Sequence, residues 1–327
     1  MTEPTGVLPM SVNLMATGPI GQIVELAQVA ESVGCCRCWA YDEGLVTRDV
    51  YVTLTAIAAA TERIRLGPGI TNPYVRHPGA TAAAIASLDE VSGGRAFLGL
   101  GAGGGLTLNP LAIDRRRPVA NVAEMITSLR ALWAGDTVTT DGPTFGFHNA
   151  RLGYGRPDIE IIVAGRGPRM VELGAAQADG FYLGYLHKSL LGPAIETLRA
   201  GAATHGRSFR IVYSTMVATT EADLETARVQ LSFRLVDSPP EVRELIGMTS
   251  GDEMAIRTAL SEGGPSLAAQ FVNPDWVPSF VIAGTPAEAG AELRSLMREH
   301  GIDEFQVPIT ELDDGAARIE AMAGMFR

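Results

Sequence analysis

Two adjacent carboxylates, Asp42 and Glu43, follow an apolar run that contains Trp39 and Tyr41. A carboxyl group at the end of a strand can transfer a proton or accept a hydrogen bond from a ligand. Successive side chains on a strand face opposite sides. We therefore expect at most one of the two carboxyl groups to face a site. A solvated pair at the start of a helix is the alternative interpretation.

Two glycine-rich segments are candidates for holding an anion: GLGAGGG at 99–105 and AGRGP at 164–168. Glycine lets backbone N–H groups approach an anion closely, and the N-terminus of a helix adds partial positive charge. Arg166 and Arg169 are placed to add charge-assisted bonds to a phosphate. A tight turn with solvated arginines remains the alternative. The first segment contains GxGxG, which is only a weak fingerprint of a nicotinamide-binding dinucleotide fold.

A third unusual segment is LGPGITNP at 66–73, where an apolar strand runs into Gly67, Pro68 and Gly69. Proline lacks a backbone donor and glycine weakens a strand interior. This pattern predicts an irregular, functionally important backbone next to Thr71 and Asn72.

Composition and spacing argue against several other functions. Lys and Arg total 26 against 37 for Asp and Glu, which does not suit a nucleic-acid surface. Cys35, Cys36 and Cys38 lie within one short segment and lack a distant His/Cys set at zinc spacing, so we interpret them as reduced residues on a buried strand and expect no metal site. No stretch of 18 apolar residues predicts a membrane span, and the first ten residues do not resemble a signal peptide, so we expect a cytoplasmic protein.

Short apolar runs alternate with helical patterns along the chain. The predicted strands are 7–14, 35–40, 64–70, 96–100, 159–163, 180–183, 211–218 and 304–309. Eight such strands favour an α/β fold of the (β/α)8 TIM-barrel type, although an open doubly wound sheet also alternates. We expect residues 1–327 to form one barrel domain with its chemistry at the C-terminal ends of the strands.

Two stretches interrupt the repeat. Residues 134–158 suggest a β-hairpin and loop. Residues 221–278 suggest a helical insertion after strand seven that caps the barrel mouth. Long insertions are usually functional, and a packing or oligomer element is the alternative.

Three blocks carry a resemblance to a known family: residues 48–104, 163–181 and 282–309. They resemble the bacterial-luciferase-like flavin barrel family, and within it the coenzyme F420-dependent methylenetetrahydromethanopterin reductases. The resemblance implies a barrel that binds F420, or alternatively FMN, at its mouth. It also implies a non-prolyl cis peptide after the third strand, which by position falls at Gly69–Ile70 and backs the deazaflavin ring.

The resemblance assigns further residues by position. Asp42 matches an aspartate near the deazaflavin edge, and Thr71, Asn72 and Gly101 match positions beside the cofactor. The loop expected to hold the cofactor's phosphate comprises Ala164, Gly165, Arg166, Gly167 and Pro168.

The sequence departs from the family at its acid–base positions. Asn13 stands where the resembling reductases have a glutamate. It is expected at the cofactor site. Gly104 stands where they have an aspartate. Glu43 replaces a histidine of the related glucose-6-phosphate dehydrogenases. Tetrahydromethanopterin and sugar phosphate are therefore not the expected substrates.

The resemblance implies an oxidoreductase that moves hydride between deazaflavin C5 and a small organic substrate, by C=C or C=N reduction. We expect Glu43, beside Asp42, to give or take the proton. The alternatives are an FMN-dependent luciferase-like monooxygenase and a barrel that only binds a ligand. A homodimer is expected, since luciferase-like barrels often pair.

Overall fold

A computed structural model describes residues 8–142 and 144–326. Its strands in chain order are β1 (Met10–Leu14), β2 (Arg37–Ala40), β3 (Arg65–Pro68), β4 (Phe97–Gly101), β5 (Val138–Asp141), β6 (Gly146–Ala150), β7 (Glu160–Ala164), β8 (Gly180–Gly184), β9 (Arg210–Ser214), β10 (Val217–Ala218), β11 (Ile282–Ala283) and β12 (Glu304–Ile309). Most residues of the central strands are buried, as in a parallel sheet covered on both faces.

Eight of these strands form one parallel sheet in the order β3-β2-β1-β12-β9-β8-β7-β4. Isolated bridges between Leu66 and Ala96 and between Thr71 and Leu100 connect the two outer strands, so the sheet curls into a nearly closed barrel. The predicted barrel is confirmed in preference to an open doubly wound sheet.

The helices cover the outside of the sheet and border its mouth. They are α1 (Ile20–Ser32), α2 (Val50–Ala60), α3 (Pro78–Val91), α4 (Gly105–Leu108), α5 (Pro118–Trp133), α6 (Pro168–Gln177), α7 (Leu191–Thr204), α8 (Glu221–Val236), α9 (Pro240–Leu245), α10 (Ser250–Ala268), α11 (Pro286–Glu299) and α12 (Gly315–Met325). Several begin at clear signals. In α11, Thr285 and Glu288 form a capping box, which satisfies N–H groups that the helix leaves open.

The interruptions of the repeat also take shape. Strands β5 and β6 pair antiparallel, so the predicted hairpin within 134–158 is present. Helices α8, α9 and α10 lie within 221–278. The seventh predicted strand is shorter than expected: β9 ends at Ser214, and Val217–Ala218 pairs instead with Ile282–Ala283. The first predicted strand begins at Met10; its residue 7 lies outside the described residues.

The barrel interior is built in layers. At the bottom, Arg37, Arg65, Glu160, Arg210 and Glu304 are each the first residue of a strand and form one ion-pair network. Although burial would raise the pKa of Glu160, the charges of the three arginines lower it to about 2.

Above this network lies an apolar layer of Trp39, Phe97, Ile162 and Val212. The Trp39 indole Nε1 donates to Glu304 Oε1 at 3.2 Å, which ties the two layers together. This packed floor leaves the space for a ligand at the other end of the barrel.

The three cysteines are free thiols near the start of β2. Cys38 is fully buried, and burial raises the pKa of its thiol to about 12. The thiol is therefore protonated at neutral pH and unreactive.

Candidate active site

A cavity of about 780 Å³ opens at the C-terminal ends of the strands. This is the end at which barrel enzymes place their chemistry. The predicted site residues that line it are Asp42, Glu43, Ile70, Thr71, Asn72, Ala164, Gly165 and Arg166. The fold therefore brings together the segments after β2, β3 and β7, which are far apart in sequence.

Both carboxylates line this cavity, and the expectation that only one would face it is wrong. Strand β2 ends at Ala40, so Asp42 and Glu43 lie in a loop where strand alternation no longer applies. Thr71 Oγ1 donates a 2.6 Å hydrogen bond to Asp42 Oδ2. Thr107 Oγ1 donates a 2.5 Å hydrogen bond to Glu43 Oε2.

Burial raises the pKa of both carboxyl groups, because it disfavours the charged form. The threonine hydroxyls oppose this by stabilising each carboxylate. The nearby charge of Asp42 raises the pKa of Glu43 further. A carboxyl group whose pKa is raised is better suited to hold a proton and then transfer it.

The irregular strand end after β3 forms the cavity wall. The peptide bond Gly69–Ile70 is cis, as the resemblance implied. Asn13 Nδ2 donates to the Gly69 carbonyl oxygen at 2.7 Å. A Cβ on Gly69 would lie 2.7 Å from Trp39 Cβ, closer than side chains tolerate, so this position requires glycine.

Hydrogen bonds to the neighbouring strand fix the same wall. Thr71 N donates to Gly99 O at 3.0 Å, and Gly101 N donates to Thr71 O at 2.9 Å. The side chain of Ile70 covers Gly101, where a Cβ would lie 2.4 Å from Ile70 Cδ1. Asn13, Gly69 and Gly101 therefore support the wall from behind and are not among the lining residues.

Asn72 holds the loop that continues from this wall. Its Oδ1 accepts hydrogen bonds from the backbone N–H groups of Tyr74 and Val75 at 3.0 and 3.1 Å. This turn fixes the direction of the chain as it leaves the barrel.

The predicted phosphate loop is divided by the structure. Ala164, Gly165 and Arg166 line the cavity, whereas Gly167 and Pro168 are exposed and outside the lining. Gly167 is the N-cap of α6, and no side chain caps that helix. Pro168 has no backbone N–H and Met170 N donates to Gly167 O at 3.0 Å, so in this first turn the backbone N–H of Arg169 is the group available to an anion.

Several lining residues were not assigned from the sequence. They include Leu106, Thr107, Arg115, Tyr182, Phe233 and Arg234. Burial raises the pKa of Tyr182 to about 12, so its phenol stays protonated. Tyr185, which directly follows β8, lines the cavity as well.

The described residues hold no group of three or more His, Cys, Asp or Glu side chains able to bind a metal. Within the same ranges, every helix is too short or too polar to cross a membrane.

Known proteins with similar sequences and structures include several reductases. The chain is 32% identical over 297 residues to the 5,10-methylenetetrahydromethanopterin reductase of Methanolobus tindarius, covering 89% of this chain and 91% of the relative. It is 34% identical over 281 residues to the protein of that name in Archaeoglobus fulgidus, covering 83% and 84%.

One solved structure matches over 97% of both chains, with a TM-score of 0.83 and 26% identity: the coenzyme F420-dependent tetrahydromethanopterin reductase from Methanopyrus kandleri. The family model described as luciferase-like monooxygenase matches residues 6–304. Because that match spans most of the sequence, this chain belongs to the luciferase-like monooxygenase family.

Proposed function

We propose that the chain is a coenzyme F420-dependent oxidoreductase that moves hydride between deazaflavin C5 and a small organic substrate. Reduction of a C=C or C=N bond is the favoured reaction. The observation that carries the proposal is a cavity at the barrel mouth of a chain that matches an F420-dependent reductase over 97% of its length.

The lining of the cavity fits a flat cofactor. Its volume of about 780 Å³ lies within the range of roughly 300–1,000 Å³ typical of cofactor pockets. The backbone of 70–72 offers a wall, and a Cβ on Gly104 would meet no atom within 4 Å, so the glycine-rich loop leaves open space. In this proposal Asp42 lies at the cofactor edge, and Gly165 and Arg166 lie near its phosphate.

Bound F420 would supply a carbon that gives or takes hydride. The protein's own residues would hold the deazaflavin ring against the wall at Ile70, exclude water, and hold or release the proton. Glu43 is the proposed proton donor or acceptor, because it lines the cavity and burial raises its pKa. Thr107 orients its carboxyl group.

The substrate is proposed to differ from that named for the reductase relatives. Asn13 and Gly104 stand where the resemblance implies a glutamate and an aspartate. The side chain of Asn13 is buried, and its Nδ2 donates a hydrogen bond to Gly69 O. As an amide, it cannot provide the carboxylate that a glutamate would offer to a substrate. Glu43 and Asp42 are left as the acidic groups after β2.

The second candidate is an FMN-dependent monooxygenase, which the description of the matching family favours. Titration of the purified protein with F420 and with FMN, followed by fluorescence, separates the two. We expect F420 to saturate in the micromolar range and FMN to produce no saturable change. Tight binding of FMN without F420 would support the monooxygenase. A folded protein that binds neither cofactor would support a barrel without this chemistry.

We further propose a homodimer that acts on a small molecule in the cytoplasm. Leu45, Val46 and Val52 are exposed large apolar side chains close together in sequence, with Leu45 78% accessible. Such exposed apolar groups are typical of contact surfaces. Light scattering is expected to give twice the 34.5 kDa mass of the chain, and a mass of one chain would exclude the dimer.

A further inference from the structure

Two arginines approach the cavity from different parts of the fold. Arg166 follows β7, and Arg234 lies in the last turn of α8, on the insertion after β9. Arg166 Nη1 donates to the backbone oxygen of Arg234 at 3.2 Å, so the two residues are direct neighbours. Both are half-buried.

Neither arginine has a carboxylate within ion-pair distance in the described ranges. Another arginine of the same lining, Arg257, is paired with Glu253 at 2.9 Å. Asp237 lines the cavity too, but it is exposed and makes no ion pair with Arg166 or Arg234. Two neighbouring cations thus lie at a cavity wall with no carboxylate of the described residues in direct ion-pair contact, and the charges of Asp237 and Glu43 act on them only from a longer distance.

Arg234 is held in place by its surroundings. Its guanidinium carbon lies 3.9 Å from the centre of the Tyr185 ring and 4.5 Å from that of Phe233. Its Nη1 donates to Gln230 O and, at 2.9 Å, to Gln230 Oε1. In the described part of the chain, Nε and Nη2 of both arginines donate to no protein acceptor.

The same environment disfavours two unpaired charges. Burial lowers the pKa of Arg166, and the positive charge of Arg234 lowers it further, with Asp237 acting in the opposite direction. An anion between the two side chains would relieve this repulsion. It could accept hydrogen bonds from the guanidinium Nε and Nη2 atoms of both arginines.

We propose that Arg166 and Arg234 together form an anion-binding subsite at the cavity wall, which receives a phosphate or carboxylate group. Through Arg234, the insertion helix α8 takes part in recognition rather than serving only as packing. The anion belongs to the tail of F420 or to an acidic substrate. Both sources rest on the proposed function, whereas the anion site itself is tested by phosphate alone.

The test compares wild type with Arg234→Gln and Arg166→Gln in two arms. In the first arm, inorganic phosphate is titrated into the cofactor-free protein and the melting temperature is recorded. In the second, fluorescence gives the affinities for F420 and for the deazaflavin riboside that lacks the phosphate-linked tail. Arg298→Gln, on the exposed side of α11, controls for loss of a positive charge. Arg234→Lys retains the charge.

We expect phosphate to raise the melting temperature of wild type and of Arg298→Gln, and to have little effect on Arg234→Gln. Arg234→Lys is expected to recover part of the response. A loss of F420 affinity of roughly tenfold or more, with riboside binding unchanged, assigns the anion to the cofactor. Unchanged F420 affinity with a lost phosphate response assigns it to the substrate.

The proposal is overturned if both glutamine variants respond as wild type does in both arms. If wild type binds no F420, the proposed function fails, and the phosphate arm alone decides the anion site. Should Arg234→Gln unfold, Arg166→Gln decides, since it removes the other half of the pair and leaves α8 intact.

Discussion

Replacing Thr107 by valine is expected to change the proton affinity of Glu43 without changing the shape of the site. Thr107 Oγ1 donates a 2.5 Å hydrogen bond to Glu43 Oε2, and the side chain of Thr107 is buried. Valine keeps the volume and removes the donor. A hydrogen bond to a charged group contributes about 1.5–3 kcal/mol, and about 1.4 kcal/mol is a factor of ten. The proton affinity of Glu43 should therefore rise roughly tenfold or more.

Carbon-13 NMR of protein labelled at the glutamate carboxyl carbon measures this directly. Glu43→Gln identifies the resonance by its disappearance. Thr107→Ser retains the hydroxyl and is expected to titrate as wild type does. Thr71→Val, which acts on Asp42, is the matched control for loss of a neighbouring hydroxyl.

The stability of Thr107→Val should depend on pH in one direction. The folded pKa of Glu43 is raised, so its penalty is absent below the unfolded pKa and appears as pH rises through the folded pKa. Urea unfolding is expected to show a larger loss for the variant at pH 8 than at pH 4. An unchanged carboxyl titration together with an equal loss at both pH values would refute the assigned role of Thr107.

Three further substitutions test the cavity wall, the ion-pair network at the bottom of the barrel and the glycine-rich loop. Gly69→Ala places a Cβ 2.7 Å from Trp39 Cβ, so it should lower stability by about 1–3 kcal/mol and weaken F420 binding; full F420 affinity would contradict the proposed wall. Glu160→Gln should lower the free energy of unfolding in urea by roughly 3 kcal/mol at pH 7, because the pKa of Glu160 is lowered to about 2. This loss of stability should fade as the pH drops from about 4.5 towards 2. A loss of stability independent of pH would contradict the role of the Glu160 charge. Gly104→Asp should fold normally, because a Cβ at this position meets no atom within 4 Å. The added negative charge should raise the pKa of Glu43 in the NMR titration. A severe loss of stability would show that the loop has no open space at Gly104.

Much of the barrel was predictable because its strands are short apolar runs separated by helical patterns. The strand Glu304–Ile309 has the predicted bounds. The irregular strand end at 66–73 could be recognised because glycine and proline interrupt a strand for steric reasons that are local in sequence. The final helix, Gly315–Met325, was not predicted.

The site was less predictable where it depends on distant contacts. Alternation failed at Asp42 and Glu43 because the strand ends two residues earlier, which sequence periodicity does not resolve. Thr107 and Arg234 had no local signal. Thr107 joins the site because the segment after β4 folds over the barrel mouth, and Arg234 joins it because the insertion after β9 does the same.

A crystal structure of the complex with F420 would show directly whether the cofactor binds at the barrel mouth. We expect deazaflavin density against the backbone of 70–72, with the Asp42 and Glu43 carboxyl groups at the same cavity and the tail towards Arg166. A ring bound elsewhere on the protein, or density that leaves this wall uncovered at saturating F420, would contradict it.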